Sequence, residues 1–303
     1  MMGEEGMSQG VKIRGLRKNY GNVAALKQID LDIEHGVFGL LGKNGAGKTT
    51  LMKILSTLSE PTSGEVWIDG VSIAEKKKIR EKIGYCPQEL SFYPNETCED
   101  ILEYILALSG EKECESRRRK VEKVLSVVNL SDCIGKKYKT LSGGMKRRLG
   151  IAQALILDPS VLIIDEPSAG LDPEERVRLK NLIGLLAIQK TIILSTHIVS
   201  DIEDICSKIG ILNKGKMIFQ GDKDEMIRIC DGHVWEVIFS REEWKELCKN
   251  QKDIMNEIYT VRMEKNRVVL KIIAREMRYH HAYRIKPSLE DAYIYQNLLM
   301  EEN

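Results

Sequence analysis

The sequence predicts an α/β protein with a mixed-sheet core, followed by a small α+β unit. Short, wholly apolar runs recur between residues 37 and 194 and are separated by helical patterns. Such runs are typical of strands buried on both faces, and strands that alternate with helices indicate a parallel sheet. Beyond Gly221 the composition shifts toward charge. Because 303 residues suffice for about two domains, we expect one domain over residues 10–221 and another over 222–303.

The first part of the chain predicts several strands around one helix. Residues 11–36 alternate apolar and polar side chains around Tyr20-Gly21-Asn22, which predicts an antiparallel pair joined by a turn. Residues 37–41 are apolar and predict a buried strand, and a helical pattern begins at Lys48. Two further strands are predicted at 65–70 and 82–86.

A helical insert is predicted at about residues 89–140, where apolar residues lie three and four positions apart. Strand patterns then resume. The remaining elements predicted in the first domain are strands at 161–164 and 191–194, a helix at 173–187 and a closing hairpin at 209–219 with Gly215 in its turn. Those predicted in the last domain are strands at 233–239 and 266–273, a helix over 241–258 and a final helix opening at 287.

Composition limits the classes of partner and compartment. The 46 Lys and Arg residues nearly cancel the 45 Asp and Glu residues, so the net charge of +1 gives no long-range attraction to nucleic acid. The seven cysteines are odd in number and form no CxxC, which argues against a disulfide framework or a zinc site and favours a reducing cytoplasm. No run approaches the 18 or so apolar residues that would span a bilayer.

One glycine-rich segment points to phosphate binding. Gly42-Lys43-Asn44-Gly45-Ala46-Gly47-Lys48-Thr49 matches the pattern G-x-x-x-x-G-K-[ST], between a predicted buried strand and a predicted helix. Glycines let the loop curl so that successive backbone N–H groups face phosphate oxygens at the positive end of the helix dipole. Lys48 can then reach the β- and γ-phosphates, and the Thr49 hydroxyl can coordinate Mg²⁺. The alternative is a flexible glycine turn.

Two adjacent acids follow the predicted buried strand at 161–164. Asp165 and Glu166 should lie at the carboxyl edge of the sheet, where open α/β folds bind ligands. Asp165 suits Mg²⁺ held through water, and Glu166 suits a general base that deprotonates an attacking water. Alone, such a pair is often a solvated turn, but the upstream glycine loop favours the catalytic interpretation.

A second anion site is predicted before another helix. Ser142 can cap that helix while Gly143 and Gly144 expose backbone donors. An ordinary helix cap with a flexible approach is the alternative.

These motifs, taken in order, resemble the nucleotide-binding subunit of ATP-binding-cassette (ABC) transporters, which are P-loop NTPases. The resemblance covers about residues 10–221. The matching motifs are Walker A at 42–49, the Q-loop glutamine Gln88, the signature at 141–144, Walker B at 161–166, the D-loop at 168–172, the switch histidine His197 and the adenine-stacking aromatic Tyr20. Met145 departs from the family, whose commonest signature carries Gln there; we expect activity to survive.

The resemblance implies an ATPase with ATP and Mg²⁺ as its ligands. Glu166, His197, Gln88 and Lys48 are the implied catalytic residues, and Thr49, Gln88 and Asp165 are the implied metal-side residues. The implied ATP contacts are Tyr20, the loop residues Gly42, Lys43, Asn44, Gly45, Ala46, Gly47, Lys48, Thr49 and Thr50, the signature residues Ser142, Gly143 and Gly144, and Asp172. Without the family pattern, Tyr20 reads as a core residue, Gln88 as a turn residue, and His197 and Asp172 as caps.

The family mechanism also implies partners. Ser142 and Gly144 would face ATP held by a second copy or a homologous ATPase subunit, so the ATP-bound state would be a dimer. A separately encoded transmembrane permease would dock on the helical insert, with Glu89, Phe92 and Tyr93 as candidate contacts; the alternative is that these three are ordinary loop residues. The tail resembles stand-alone ATPase subunits of drug, antibiotic-peptide or bacteriocin exporters.

We therefore expect a cytoplasmic protein, peripheral on the inner face of the cell membrane through its permease, with no direct nucleic-acid partner. The alternatives are an importer ATPase and a soluble ABC ATPase that acts on ribosomes or nucleic acid.

Overall fold

A computed structural model describes residues 10–250, 258–277, 279 and 281–301 of the chain. The chain divides into two compact units between Gln220 and Gly221. In chain order, the elements of the first unit are β1 (Val11–Tyr20), β2 (Val23–Ile33), β3 (Gly36–Leu41), α1 (Lys48–Leu55), β4 (Ser63–Ile68), β5 (Val71–Ser72), α2 (Lys76–Lys82), β6 (Ile83–Cys86), α3 (Cys98–Leu108), α4 (Cys114–Val127), α5 (Gly143–Leu155), β7 (Val161–Asp165), α6 (Pro173–Leu186), β8 (Thr191–Thr196), β9 (Lys208–Asn213) and β10 (Lys216–Asp222).

Two sheets form the first unit, which confirms the predicted α/β fold with a mixed core. One sheet has the order β2-β1-β4-β5 and is antiparallel, and the other has the order β10-β9-β3-β8-β7-β6. In the second sheet, β3 pairs in parallel with β8 and β9, and β7 pairs in parallel with β6 and β8. The carboxyl ends of these strands therefore share one edge, and the predicted motifs follow them there.

The core of the first unit lies between the two sheets and includes α1. Fully buried side chains from both sheets and the helix meet in it, among them Ile13, Leu40, Met52 and Ile163. Because each such side chain contributes about 1.5–3 kcal/mol on burial, this core holds α1 against β2, β7 and β8.

The helical insert consists of α3 and α4, with short 3₁₀ turns at Ser131–Cys133 and Tyr138–Thr140. A capping box fixes the start of α3: the Asp100 N–H donates to Thr97 Oγ1 at 3.1 Å, and the Thr97 N–H donates to Asp100 Oδ2 at 2.9 Å.

The second unit is a four-stranded sheet with helices. Its elements are α7 (Lys223–Ile229), β11 (Val234–Ser240), α8 (Arg241–Asn250), β12 (Ile258–Glu264), β13 (Arg267–Ile273), β14 (Ala282–Arg284) and α9 (Leu289–Glu301). The strand order is β12-β13-β11-β14, and the described pairs are antiparallel. An ion pair joins β13 to α9: Lys271 Nζ lies 2.9 Å from Asp291 Oδ1.

The second unit differs from expectation around strand β12 and in two short elements. The helix predicted over 241–258 is described as α8 up to Asn250, residues 251–257 lie outside the described part of the chain, and Ile258 belongs to β12 and not to a helix. A hairpin turn with Lys265 at φ 36° joins β12 to β13. Apolar and polar side chains alternate over residues 259–264, a pattern that indicates a strand, but the sequence prediction placed no element there. The short elements α7 and β14 were also not predicted.

Within the described residues, no helix is both long and apolar enough to cross a membrane.

Candidate active site

The glycine loop between β3 and α1 adopts a conformation that requires glycine. Gly45 and Gly47 have φ values of 80° and 110°, in the left-handed region. A Cβ at Gly42 would lie 2.5 Å from the Leu212 carbonyl oxygen, and one at Gly47 would lie 2.8 Å from that of Ala25. No side chain caps α1 at Gly47, so the first N–H groups of the helix are directed toward the loop as anion donors.

A cavity of about 700 Å³ opens beside this loop. Its lining contains most of the residues that the sequence assigned to ATP phosphates, together with the lysines Lys27 and Lys214. The assigned residues that line it are Asn44, Gly45, Gly47, Lys48, Thr49, Thr50, Gln88 and Glu166. Gly42 and Ala46 are buried, and the Lys43 carbonyl accepts a 3.4 Å hydrogen bond from Lys48.

Three predicted catalytic side chains form one connected group in this site. Lys48 Nζ lies 3.1 Å from Glu166 Oε1 and donates to the Gly42 carbonyl at 2.7 Å. His197 Nδ1 lies 2.7 Å from Glu166 Oε2. Lys48 and Glu166 are each only 5% exposed, whereas the His197 side chain is 42% exposed. The carboxylate of Glu166 is therefore bound on both oxygens and shielded from bulk water.

Glu166 is placed by an uncommon backbone conformation. Its φ is 47°, in the left-handed region that non-glycine residues rarely adopt. Its N–H donates to the Ser195 carbonyl of the neighbouring β8 at 3.0 Å. This contact holds the turn after β7, and such conformations recur at functional sites.

Asp165 has a carboxylate oxygen available for a further ligand. The side chain is fully buried, and Ser195 Oγ donates to its Oδ1. Oδ2 is buried and has no hydrogen-bond partner among the residues that the structure describes. A buried, unpartnered carboxylate oxygen is a hard donor of the kind Mg²⁺ prefers. The residues present therefore fit a magnesium ion, with Asp165 and the Thr49 hydroxyl as its protein-side partners.

The predicted signature residues lie away from this cavity. Ser142 caps α5 by accepting a 3.2 Å hydrogen bond from the Met145 N–H. Ser142 and Gly143 are exposed, and Gly144 is covered by the Glu175 carboxylate, whose Oε2 would lie 2.2 Å from an added Cβ. None of the three is in the cavity lining. The two anion-binding positions that the sequence predicts are thus separate within one chain.

Two further predicted residues, Asp172 and Tyr20, lie outside the lining of the cavity. Asp172 caps α6 by accepting from the Glu175 N–H at 2.9 Å, with Pro173 in the first turn. Tyr20 is 49% exposed and pairs across the β1–β2 turn with Val23, a cavity-lining residue. Lys18 Nζ lies 4.9 Å from the centre of the Tyr20 ring. Tyr20 itself is not part of the lining.

Sequence reasoning missed two buried polar residues that connect these motifs. Arg147 donates to the backbone carbonyls of Pro87, Gln88 and Asp165. Asp201 is 4% exposed and accepts from Ser168 Oγ and, at 3.1 Å, from Thr196 Oγ1. In the sequence, Arg147 lies within the helix predicted after the signature, and nothing there marks Arg147 or Asp201 as connecting residues.

A second, apolar groove of about 860 Å³ lies where the helical insert meets the first unit's remaining elements. Phe92 and Tyr93 line it, and Glu89 does not. Tyr93 and Tyr104 in its lining are 77% and 63% exposed.

Comparison with known proteins gives matches along the chain. A family model described as ABC transporter matches residues 26–169. The linearmycin resistance ATP-binding protein LnrL of Bacillus subtilis strain 168 is 36% identical over 219 residues, which are 71% of this chain and 70% of that protein. The methionine import ATP-binding protein MetN of Symbiobacterium thermophilum is 34% identical, over 72% of this chain and 69% of that protein. The uncharacterized ABC transporter ATP-binding protein YcbN of Bacillus subtilis strain 168 is 32% identical, over 94% of this chain and 95% of that protein.

Solved structures agree with these matches. A dimeric structure of a bacterial ABC transporter cassette superposes with a TM-score of 0.63 and 28% identity, over 70% of this chain and 98% of the cassette. A dimeric post-hydrolysis structure of an ATP-binding cassette bound to ADP and Pi has the same TM-score, identity and coverage.

Proposed function

The chain belongs to the ABC transporter family and is an ATPase subunit; from this premise we propose that it powers an exporter through a separately encoded membrane permease. In this proposal, residues 10–221 form the ATPase domain and residues 222–303 an accessory domain. The protein then lies on the cytoplasmic face of the membrane, held there by the permease.

The arrangement of Lys48, Glu166 and His197 beside the glycine loop carries the catalytic part of the proposal. The loop N–H groups and Lys48 bind the phosphates of ATP, and Glu166 orients and deprotonates the attacking water. Thr49 and Asp165 would hold Mg²⁺, which neutralises charge on the phosphates. The products are ADP and phosphate.

Each remaining side chain has a defined task in that reaction. A carboxylate can only accept hydrogen bonds, so His197 donates from Nδ1 to Glu166 and fixes its orientation. Phosphate oxygens attract Lys48 away from Glu166, which frees Oε1 to accept the proton of the attacking water. Gln88 lines the same cavity and offers both a donor and an acceptor to that water.

The separation of the two anion positions supports a dimer in the ATP-bound state. Ser142 and Gly143 are exposed and lie outside the chain's own cavity, so their donors are free for ATP held by a second copy. The neighbouring cassette structures are themselves dimers. Closure of the two copies on ATP would exclude water from both sites.

The apolar groove supports a permease as partner. Its exposed aromatic side chains suit the apolar face of an amphipathic helix. Tyr93, Tyr104 and Leu58 present 77%, 63% and 63% of their surface. We propose that a cytoplasmic helix of the permease occupies this groove.

Export is favoured by the similarity to the resistance protein LnrL, and import is the alternative, because MetN is almost as similar.

The experiment is purification of the Glu166→Gln form from membranes with ATP and Mg²⁺, with identification of the copurifying membrane protein. A matched form that also carries Tyr104→Ser should lose this protein while still binding ATP. Recovery of ribosomes or nucleic acid, with no membrane protein, would contradict the proposal. Transport of a substrate out of or into vesicles by the reconstituted complex then decides the direction.

A further inference from the structure

One buried arginine joins three backbone segments of the active site. Arg147 lies on α5 and is 6% exposed. Its Nη1 donates to the carbonyls of Pro87 at 2.6 Å and Gln88 at 3.1 Å, and its Nη2 donates to the carbonyl of Asp165 at 2.5 Å. The side chain therefore connects the segment that carries Gln88 to the end of β7.

The hydrogen bonds described for this guanidinium all go to backbone carbonyl groups. Over the described ranges, Arg147 makes no ion pair with a carboxylate, and its Nε is buried without a partner. A buried charge without a counter-ion is a poor source of stability. What these contacts provide is a fixed geometry, because the planar guanidinium directs its donors along set directions.

The segment around Gln88 is attached to α5 at other points as well. A Cβ at Gly150 of α5 would lie 2.3 Å from Leu90 Cδ1, so Leu90 packs directly on the helix. Gln153 of α5 donates to the Tyr85 carbonyl at 3.2 Å. The backbone is thus held on both sides of Gln88, whose own side chain lines the nucleotide cavity.

The N-terminus of the same helix carries the exposed residues Ser142 and Gly143. Arg147 follows them within two helical turns. Because a helix moves as a stiff rod over so short a distance, a displacement at its N-terminus reaches the three carbonyls that Arg147 holds.

We propose that Arg147 is a positioning residue that makes the placement of Gln88 depend on α5, and hence on the ATP that the partner copy presents to Ser142. This inference rests on the proposed function, in which the signature residues face ATP held by a second copy. Arg147 touches neither ATP nor water in this role, and it acts through the backbone of Gln88 and Asp165.

The test compares Arg147→Lys and Arg147→Gln, each with and without Gln88→Ala. A lysine ammonium donates from a single point and cannot reproduce the fork to three carbonyls. We expect kcat to fall about 10- to 100-fold, because small misplacements of a positioned group have effects of this size. KM and the ATP dissociation constant should change by at most about threefold, since ground-state binding does not use these contacts.

The combination with Gln88→Ala separates an effect of Arg147 that acts through Gln88 from a structural effect that does not depend on Gln88. If Arg147 acts through Gln88, the fall in kcat caused by Arg147→Lys should be at least about threefold smaller in the Gln88→Ala background. Arg148→Lys is the matched control: its Nη1 donates to the Asn129 carbonyl at 2.9 Å, and its Nη2 lies 3.5 Å from Glu175. Its effect on kcat should be the same in both backgrounds.

The proposal is overturned if both Arg147 substitutions leave kcat within about twofold of wild type. It is also overturned if their effect is equal with and without Gln88, or if they abolish ATP binding or cooperative unfolding, as a purely structural role predicts. The proposed function fails separately, when the unsubstituted chain does not hydrolyse ATP or when Glu166→Gln hydrolyses it at the wild-type rate.

Discussion

Lys48 Nζ lies 3.1 Å from Glu166 Oε1, and both side chains are 5% exposed. In the proposed function Lys48 binds phosphate and Glu166 activates water, and this ion pair neutralises both groups before ATP arrives. Because the phosphates of ATP carry more negative charge than one carboxylate, they compete for Lys48. Under this proposal, ATP binding is coupled to release of the base Glu166.

Replacement of Glu166 tests its role as that base. Glu166→Gln should lower kcat by about 10²–10⁴, the contribution of a general base. ATP affinity should be at least as high as in the wild type, because the amide no longer competes with phosphate for Lys48. Steady-state hydrolysis and equilibrium ATP binding check the two parts. Glu174→Gln, on an exposed side chain paired only with Arg178 in the described region, is the control; a wild-type rate for Glu166→Gln would show the assignment to be wrong.

The ion pair between Lys48 and Glu166 also predicts a stability effect. Lys48→Met leaves the buried Glu166 carboxylate without its cation and should lower the free energy of unfolding by roughly 3 kcal/mol. The double substitution Lys48→Met with Glu166→Gln should recover much of this loss, because no uncompensated charge remains. Urea unfolding of the four proteins gives the coupling. Additive effects of the two substitutions would contradict the pairing.

The fold and the motifs were predictable where short-range patterns determine them. The confirmed α/β fold follows from apolar strands such as β3 and β7, each directly followed by its polar motif. The pairs Arg147–Gln88 and Ser168–Asp201 join residues that are 59 and 33 positions apart. No local pattern signals such contacts, because they depend on how α5 packs against β6 and on how the turn after β8 folds back. Strand β12 is a different case, because residues 259–264 alternate between apolar and polar side chains and so carry a local strand signal that the prediction did not use.

Asp201 joins the D-loop to the end of β8, and its removal should loosen both. Asp201→Ala leaves the buried hydroxyls of Ser168 and Thr196 without their acceptor, which should lower the free energy of unfolding by about 1–3 kcal/mol. Asp201→Asn keeps an acceptor oxygen and should have a smaller effect. Asp204→Ala, at a 73% exposed side chain, should stay within about 0.5 kcal/mol of wild type. Thermal or urea unfolding measures all three, and equal effects at Asp201 and Asp204 would contradict the buried network.

The cysteines should divide into reactive and protected groups. Cys114 and Cys248 are exposed, and the other five are buried. Burial raises the pKa of the Cys86 and Cys98 thiols to about 11 and that of Cys230 to about 12. Because the thiolate is the nucleophile, these three thiols should be almost inert toward a thiol-specific disulfide reagent at pH 8. In the folded protein two of the seven cysteines should react rapidly with the reagent. All seven should react once the protein is unfolded in denaturant.

The same raised pKa values predict a loss of stability at alkaline pH. The thiols are held neutral in the folded protein. Their contribution to the free energy of unfolding is therefore complete below the unfolded-state pKa of 9.0 and is lost as pH rises through about 11 to 12. Unfolded chains release these protons earlier, and the free energy of unfolding should therefore fall steadily above pH 9. Cys230→Ser and Cys86→Ser should each reduce that slope, whereas Cys114→Ser should not. A slope unaffected by either buried substitution would show that other groups cause the alkaline transition.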